Sequence, residues 1–140
     1  MSLSDYQTVA VTGASSGIGA AVAHELSRRG LTVHAIARRE DRLAQQPGVE
    51  IHVLDIRETE ALAALLGSLQ VDILVNNAGV GRGFGSLVDA DPIDIDCTLD
   101  TNVRAAVHAM RAVLPSMIER GTGHIVNVGS MAGLYPLSSA

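Results

Sequence analysis

Aromatic residues are scarce in this chain: no tryptophan, two tyrosines and one phenylalanine among 140 residues. Its interior cannot be built from rings. With 47% hydrophobic residues, the core falls to Val, Leu, Ile and Ala, as in parallel sheets covered by helices. Cysteine is nearly absent. Cys97 stands alone, so no internal disulfide can form, which fits a reducing cytoplasm. An excess of positive charge is missing too. The formal net charge of -5 argues against a nucleic-acid partner, whose phosphates such a surface repels. No apolar run reaches about 18 residues, so no transmembrane helix is expected. Residues 1–5 lack the basic flank and apolar stretch of a signal peptide and read as a short disordered lead. The same hydrophobic content excludes intrinsic disorder. The length suits about one domain. No linker, low-complexity stretch or repeat divides it, so residues 1–140 read as a single domain.

What is present is an alternation. Apolar runs rich in β-branched residues occupy 8–11, 31–37, 49–54, 71–75 and 124–128, and each reads as a strand. Helix-compatible stretches lie between them at 20–29, 58–69 and from Asp91 and Pro92 to Glu119. Residues 38–46 read as a turn with a short helix, ended by Pro47 and Gly48. Strand, helix, strand, helix without interruption demands parallel pairing with right-handed crossovers. The expected fold is therefore an α/β doubly wound parallel sheet of Rossmann type, ending after its fifth strand. Such sheets bind ligands outside the carboxyl ends of their strands. The unusual residues of this chain stand at those ends.

The first of them is Gly13-Ala14-Ser15-Ser16-Gly17-Ile18-Gly19, between the first strand and the first helix. Glycines permit a tight turn and close backbone approach. The helix that follows offers unpaired N–H groups and the positive end of its dipole to a pyrophosphate. A merely flexible loop is the plain alternative, but the position favours dinucleotide binding. A P-loop is excluded, because no Lys-Ser or Lys-Thr follows the last glycine.

With Thr12 in front, this segment resembles the T-G-x-x-x-G-x-G motif of the short-chain dehydrogenase/reductase family. Asn76-Asn77-Ala78-Gly79 is similar to the family's N-N-A-G, Asn102 to its helix asparagine and Ser130 to its active-site serine. The likeness runs from about Thr8 onward with the motifs in family order. It implies an oxidoreductase that interconverts an alcohol and a ketone by hydride transfer from a nicotinamide cofactor, acting on a small-molecule substrate. It further implies that Asp55 meets the adenine amino group with Ile56 adding backbone contact, and that Asn77, Ala78 and Gly79 run beside the ribose and nicotinamide. Ser130 would bind the substrate oxygen, and Asn102 would hold a water on the proton-relay path. Asp55 could instead cap a helix, and Asn76 or Asn77 could brace the sheet.

The cofactor is expected to be NADP(H) rather than NAD(H). NAD-preferring dinucleotide folds place a carboxylate at the end of the second strand, where it accepts from the ribose hydroxyls and repels a 2′-phosphate. Here Ala37 is followed by Arg38 and Arg39, and a guanidinium grips a phosphate through two parallel hydrogen bonds. Many NADP-using relatives also carry a basic residue where this chain has Ser16.

The family's general acid/base is a tyrosine followed after three residues by a lysine. At family spacing that pair would fall just past Ala140, so the 140 residues alone are expected to be inactive. Tyr135 cannot stand in, since it follows Ser130 too closely and position 139 is serine. Relatives commonly form dimers or tetramers. Val103, Ala106, Val107, Met110, Val113 and Leu114 form an apolar stripe wide enough for core and interface. A non-catalytic nucleotide-binding scaffold, or an inactive truncated fragment, is the rival reading.

Other residues are set aside. His24, His34, His52, His108 and His124 are scattered without metal-ligand spacing, so no metal site is expected. Cys97 lies near Asp94, Asp96 and Asp100, surroundings that should raise a thiol pKa and make a nucleophile improbable. Arg82, in the glycine-rich 81–85 loop, is a weak candidate for substrate contact.

Overall fold

The computed structural model describes residues 2–82 and 85–133. Five strands form one parallel sheet in the order β3-β2-β1-β4-β5. They are β1 (Thr8–Thr12), β2 (Thr32–Ala37), β3 (Glu50–Val53), β4 (Ile73–Asn76) and β5 (His124–Asn127). The helices are α1 (Gly17–Arg28), α2 (Glu40–Leu43), α3 (Thr59–Ser68), α4 (Pro92–Leu99) and α5 (Ala105–Arg120). Because the order runs outward from β1 in both directions, the winding reverses between β1 and β4. That is the switch point where doubly wound sheets leave a crevice.

Each strand buries alternate residues on opposite faces, so two cores form. Val9, Val11, Val33, Ala35, Ile73 and Val75 pack with Ala23 of α1 and Leu43 of α2. Ala10, Ile36 and Leu74 pack on the other face with Leu62 and Leu66 of α3 and Ala109, Val113 and Met117 of α5. The central strands are buried on both sides, which is why they read as unbroken apolar runs. At the amino ends of the strands, Asp72 accepts from the Gln7 and Thr8 N–H groups at 2.9 and 3.0 Å and pairs with Arg120 at 3.3 Å. This ties β1 and α5 to the start of β4.

Two expectations change. The lead is ordered: Leu3–Asp5 form a 3₁₀ turn, closed by the Ser2 N–H donating to Asp5 Oδ2 at 2.7 Å, and Leu3 and Tyr6 pack against the core. A lone Leu in a short polar segment carries no periodic signal, so its burial follows from the sheet beneath it. The long helix is also not uniform. Between α4 and α5, Asp100–Arg104 is a π-helical turn, and Pro115 lies inside α5. A single wide turn of this kind commonly marks a functional site, and it contains Asn102.

Candidate nucleotide-binding site

The crevice is assembled from four segments that each leave the carboxyl end of a strand. After β1, the chain makes a tight turn at Gly13, whose φ of 69° is in the left-handed region and whose N–H donates to Ile36 O at 2.8 Å. A Cβ on Gly13 would lie 2.7 Å from the Ala78 Cα. Gly19 is equally confined, because a Cβ there would meet the Gly13 carbonyl and the Asn77 side chain. These two glycines let the loops after β1 and β4 touch. The first turn of α1 leaves its N–H groups without partners inside the helix, and the cap residue Ser16 makes no side-chain cap bond. The loop is braced from behind by Gln46, whose Nε2 donates to the Ala14 carbonyl.

The segment after β4 is stitched to β1 through Thr12. Its Oγ1 accepts from the Asn77 and Ala78 N–H groups, both at 3.1 Å, and Asn77 Nδ2 donates to Thr12 O at 3.0 Å. Asn76 Nδ2 donates to Asn127 Oδ1 at 2.9 Å, bridging β4 and β5. Both asparagines therefore brace the sheet. Asn102 holds the next stretch: its Nδ2 donates to Val80 O and its Oδ1 accepts from the Val80 N–H, each at 2.8 Å. The wide turn thus fixes Gly79 and Val80 at the rim through an amide that mimics a backbone pairing.

After β2, the two arginines diverge. The Arg39 guanidinium donates to Ser15 Oγ at 2.9 and 3.1 Å and to Ser16 Oγ at 2.7 Å, closing over the glycine loop. Arg38 instead reaches Asp55, 3.6 Å away. After β3, Asp55 is gripped by Arg57, with contacts of 2.6 and 3.1 Å to its carboxylate, and it also accepts from the Arg57 N–H at 3.0 Å. These hydrogen bonds, with the charges of Arg57 and Arg38, hold the Asp55 pKa below its ordinary value against the opposing effect of burial. The same bonds raise the pKa of Arg57.

Together these segments line a cleft of about 290 Å³. Of the residues singled out in the sequence, Gly13, Ser15, Ser16, Ile18, Arg38, Arg39, Asp55, Ile56, Asn77, Ala78 and Gly79 line it. Gly17 and Gly19 shape it from within α1, and Asn102 acts through Val80. Ser130 is not among the lining residues. It is exposed beyond β5, where its Oγ accepts from the Ala132 N–H at 3.2 Å. Tyr135 and Ser139 lie outside the described residues.

Arg57, Thr101 and Cys97 also line the cleft and were not picked out as cleft residues from the sequence. Arg57 carried a signal, as a basic residue two positions after an aspartate at a strand end. Around Cys97, two of the charged neighbours are themselves paired. Asp94 pairs with Arg82 and Asp100 with Arg104, while the Cys97 thiol contacts Arg57 Nη1 at 3.6 Å.

Comparison with known proteins agrees with this geometry. The chain is 42% identical over 134 residues to an uncharacterized short-chain type dehydrogenase/reductase of Sinorhizobium fredii, spanning 94% of this chain and 54% of that protein. It is 39% identical to an NADP-dependent 3-hydroxy acid dehydrogenase of Escherichia coli, over 91% of this chain and 56% of the relative. Among solved structures, a metagenomic short-chain oxidoreductase in complex with NADP superposes with a TM-score of 0.89 at 36% identity, covering 96% of this chain and 66% of that one. The chain thus spans about half the length of the curated relatives it matches. The family model for short chain dehydrogenases matches residues 7–140, and this chain belongs to that family.

Proposed function

We propose that the chain carries the nucleotide site of an NADP(H)-dependent oxidoreductase that interconverts an alcohol and a ketone by hydride transfer. The observation that supports this most is the Arg39 guanidinium lying across the Ser15 and Ser16 hydroxyls, beside a second strand that ends in Ala37 rather than a carboxylate. Three groups able to meet phosphate oxygens share one spot, and the second strand places no carboxylate at its end to repel a 2′-phosphate. The 3-hydroxy acid relative is described as NADP-dependent, and the metagenomic structure contains NADP.

The residues present fit a dinucleotide. Gly13 and Gly19 leave a cradle that a Cβ would fill, and the amides of Gly17, Ile18 and Gly19 are suited to the pyrophosphate. Arg38 and Arg39 would hold the 2′-phosphate, with Ser15 and Ser16 adding hydroxyl donors. Asp55 and Ile56 would face the adenine. A carboxylate has about four lone-pair positions, so Asp55 can keep Arg57 and still accept from an amino group. Asn77, Ala78 and Gly79 would lie along the ribose and nicotinamide. When bound, the nicotinamide supplies or accepts the hydride. Ser130 would orient the substrate oxygen through its O–H, which the bond accepted from the Ala132 N–H leaves free. Asn102, by fixing Val80, keeps the neighbouring wall in place. Self-association would use the outward face of α5 and the preceding wide turn, where Val103 and Val107 are exposed.

Fluorescence titration of the protein with NADPH and NADH tests the reading. NADPH should bind at least about tenfold tighter, a difference of about 1.4 kcal/mol. Arg39→Asp should abolish that preference, and Arg38→Asp should reduce it less, because only Arg39 touches the glycine loop. Equal affinity of the unmodified protein for both nucleotides would refute the cofactor assignment. In the protein at its full natural length, Ser130→Ala should lower the rate of carbonyl reduction without changing nucleotide affinity.

A further inference from the structure

The edge of the sheet holds a second cluster, distinct from the nucleotide crevice. In the parallel register of β2 and β3, His34 stands opposite Glu50 and Ile36 opposite His52. Residues two apart on a strand share a face, so His34, Glu50 and His52 project to the same side. Their polar atoms converge. His34 Nδ1 lies 3.1 Å from His52 Nε2 and 3.3 Å from Glu50 Oε2, and one ligand atom from each residue falls within 4.8 Å of the other two. Among the described residues this is the one group of three such side chains with that spacing.

We propose that His34 Nδ1, His52 Nε2 and a Glu50 carboxylate oxygen form a divalent transition-metal site, best suited to Zn²⁺, that staples the edge strand β3 to β2. Zn²⁺ binds imidazole nitrogen and carboxylate oxygen at about 2.0–2.2 Å in a tetrahedron, which sets neighbouring donors about 3.3 Å apart. The two measured separations of 3.1 and 3.3 Å match that edge. The rings agree as well, since two imidazoles on one tetrahedral ion place their centroids about 5 Å apart, and the observed distance is 5.2 Å.

The donor chemistry points the same way. A carboxylate only accepts, and a neutral imidazole presents one lone pair and one N–H. Two ring nitrogens and a carboxylate oxygen lie close together here, and a cation placed between them would accept a lone pair from each. Two imidazoles with one carboxylate are a donor set that Zn²⁺ takes with its fourth position open to water. Access is available, because the Glu50 side chain is 63% exposed while that of His34 is 7% exposed. The backbone register already holds two of the three donor separations near the tetrahedral edge, so binding needs only the exposed Glu50 side chain to move towards His52. The ion would be structural: β3 leads directly into Leu54 and Asp55, and a fixed β3 steadies that wall of the crevice.

The test uses tag-free protein at its full natural length, stripped with a chelator and titrated with Zn²⁺ by calorimetry at neutral pH. One Zn²⁺ per chain is expected, with a Kd of about 10 μM or tighter. Saturating Zn²⁺ should raise the unfolding midpoint by about 5 °C or more. Glu50→Gln and His52→Gln sit at exposed and half-buried positions and should remain folded by circular dichroism. Each should weaken binding at least about tenfold and lose the thermal shift. Co²⁺ in place of Zn²⁺ should give the visible absorption of a tetrahedral complex. No binding at that affinity, or binding that survives in both variants, would show that the cluster is only a hydrogen-bonded histidine pair beside a surface glutamate.

Discussion

Two glycines in helices should respond to alanine with opposite signs. Gly67 lies on the exposed side of α3, and a Cβ built there meets nothing within 4 Å. Alanine at that position gains helix propensity and narrows the unfolded ensemble, so Gly67→Ala should stabilise by about 0.5–1 kcal/mol. Gly19 lies in the first turn of α1 and has the same nominal propensity to gain. Its Cβ, however, would meet the Gly13 carbonyl oxygen at 2.5 Å and the Asn77 side chain. Neither neighbour can retreat easily. Gly13 is itself pinned against Ala78, and Asn77 is bonded to Thr12. Overpacking against such a wall is worth about 1–3 kcal/mol, which exceeds the propensity gain. Gly19→Ala should therefore destabilise by about 1–2 kcal/mol. Because the displaced atoms belong to the loop that receives the pyrophosphate, nucleotide affinity should also fall by more than about tenfold. Urea denaturation of the two variants, followed by NADPH titration, provides the comparison. If Gly19→Ala equals or exceeds the unmodified protein in stability and binds nucleotide normally, the close approach of the loops after β1 and β4 is not what the glycine serves.

Other consequences follow from single contacts. Thr12→Val keeps the shape but removes the acceptor for the Asn77 and Ala78 N–H groups; a loss of about 1–3 kcal/mol is expected in urea unfolding. Asn102→Ala deletes both bonds to Val80 and should weaken nucleotide binding in titration, while Asn102→Asp, which retains only the acceptor for the Val80 N–H, should recover part of it. Arg57→Gln should raise the Asp55 pKa towards its ordinary value of 3.8, read as a higher carboxyl titration midpoint by NMR. The sign for stability follows from the depressed folded-state pKa. The contribution of Asp55 is present above its unfolded pKa and is lost as pH falls through the folded value, so melting of Arg57→Gln should show a weaker acid dependence below about pH 4.

Much of the crevice was legible beforehand because its parts are local. A turn with φ above zero selects glycine, so Gly13 and Gly17 announce themselves along the chain, whereas Gly19 answers to the loop after β4 packed against it. Arg38 and Arg39 were equally visible, yet their division of labour was not. Adjacent residues in extended chain point apart, and which one meets the glycine loop depends on how far β2 runs before it turns. The exposed Ser130 and its bond to the Ala132 amide were likewise hidden, since a serine in a turn reads the same whether its hydroxyl faces a substrate or its own backbone. The contact of the Cys97 thiol with the Arg57 guanidinium was hidden too, because it joins two segments far apart along the chain.

Taken alone, the amino-acid order determined the alternation of strand and helix, the parallel two-sided burial and the phosphate-type turn. Each arises from short-range sterics and from the period at which apolar residues recur. Only the tertiary structure decided which side chains meet across strands. Register is set by burial over the whole sheet, and moving β3 by one residue would send Glu50 and His52 to the opposite face. The joining of His34 to that pair, the hold of Asn102 on Val80 and the grip of Arg57 on Asp55 are therefore properties of the assembled fold.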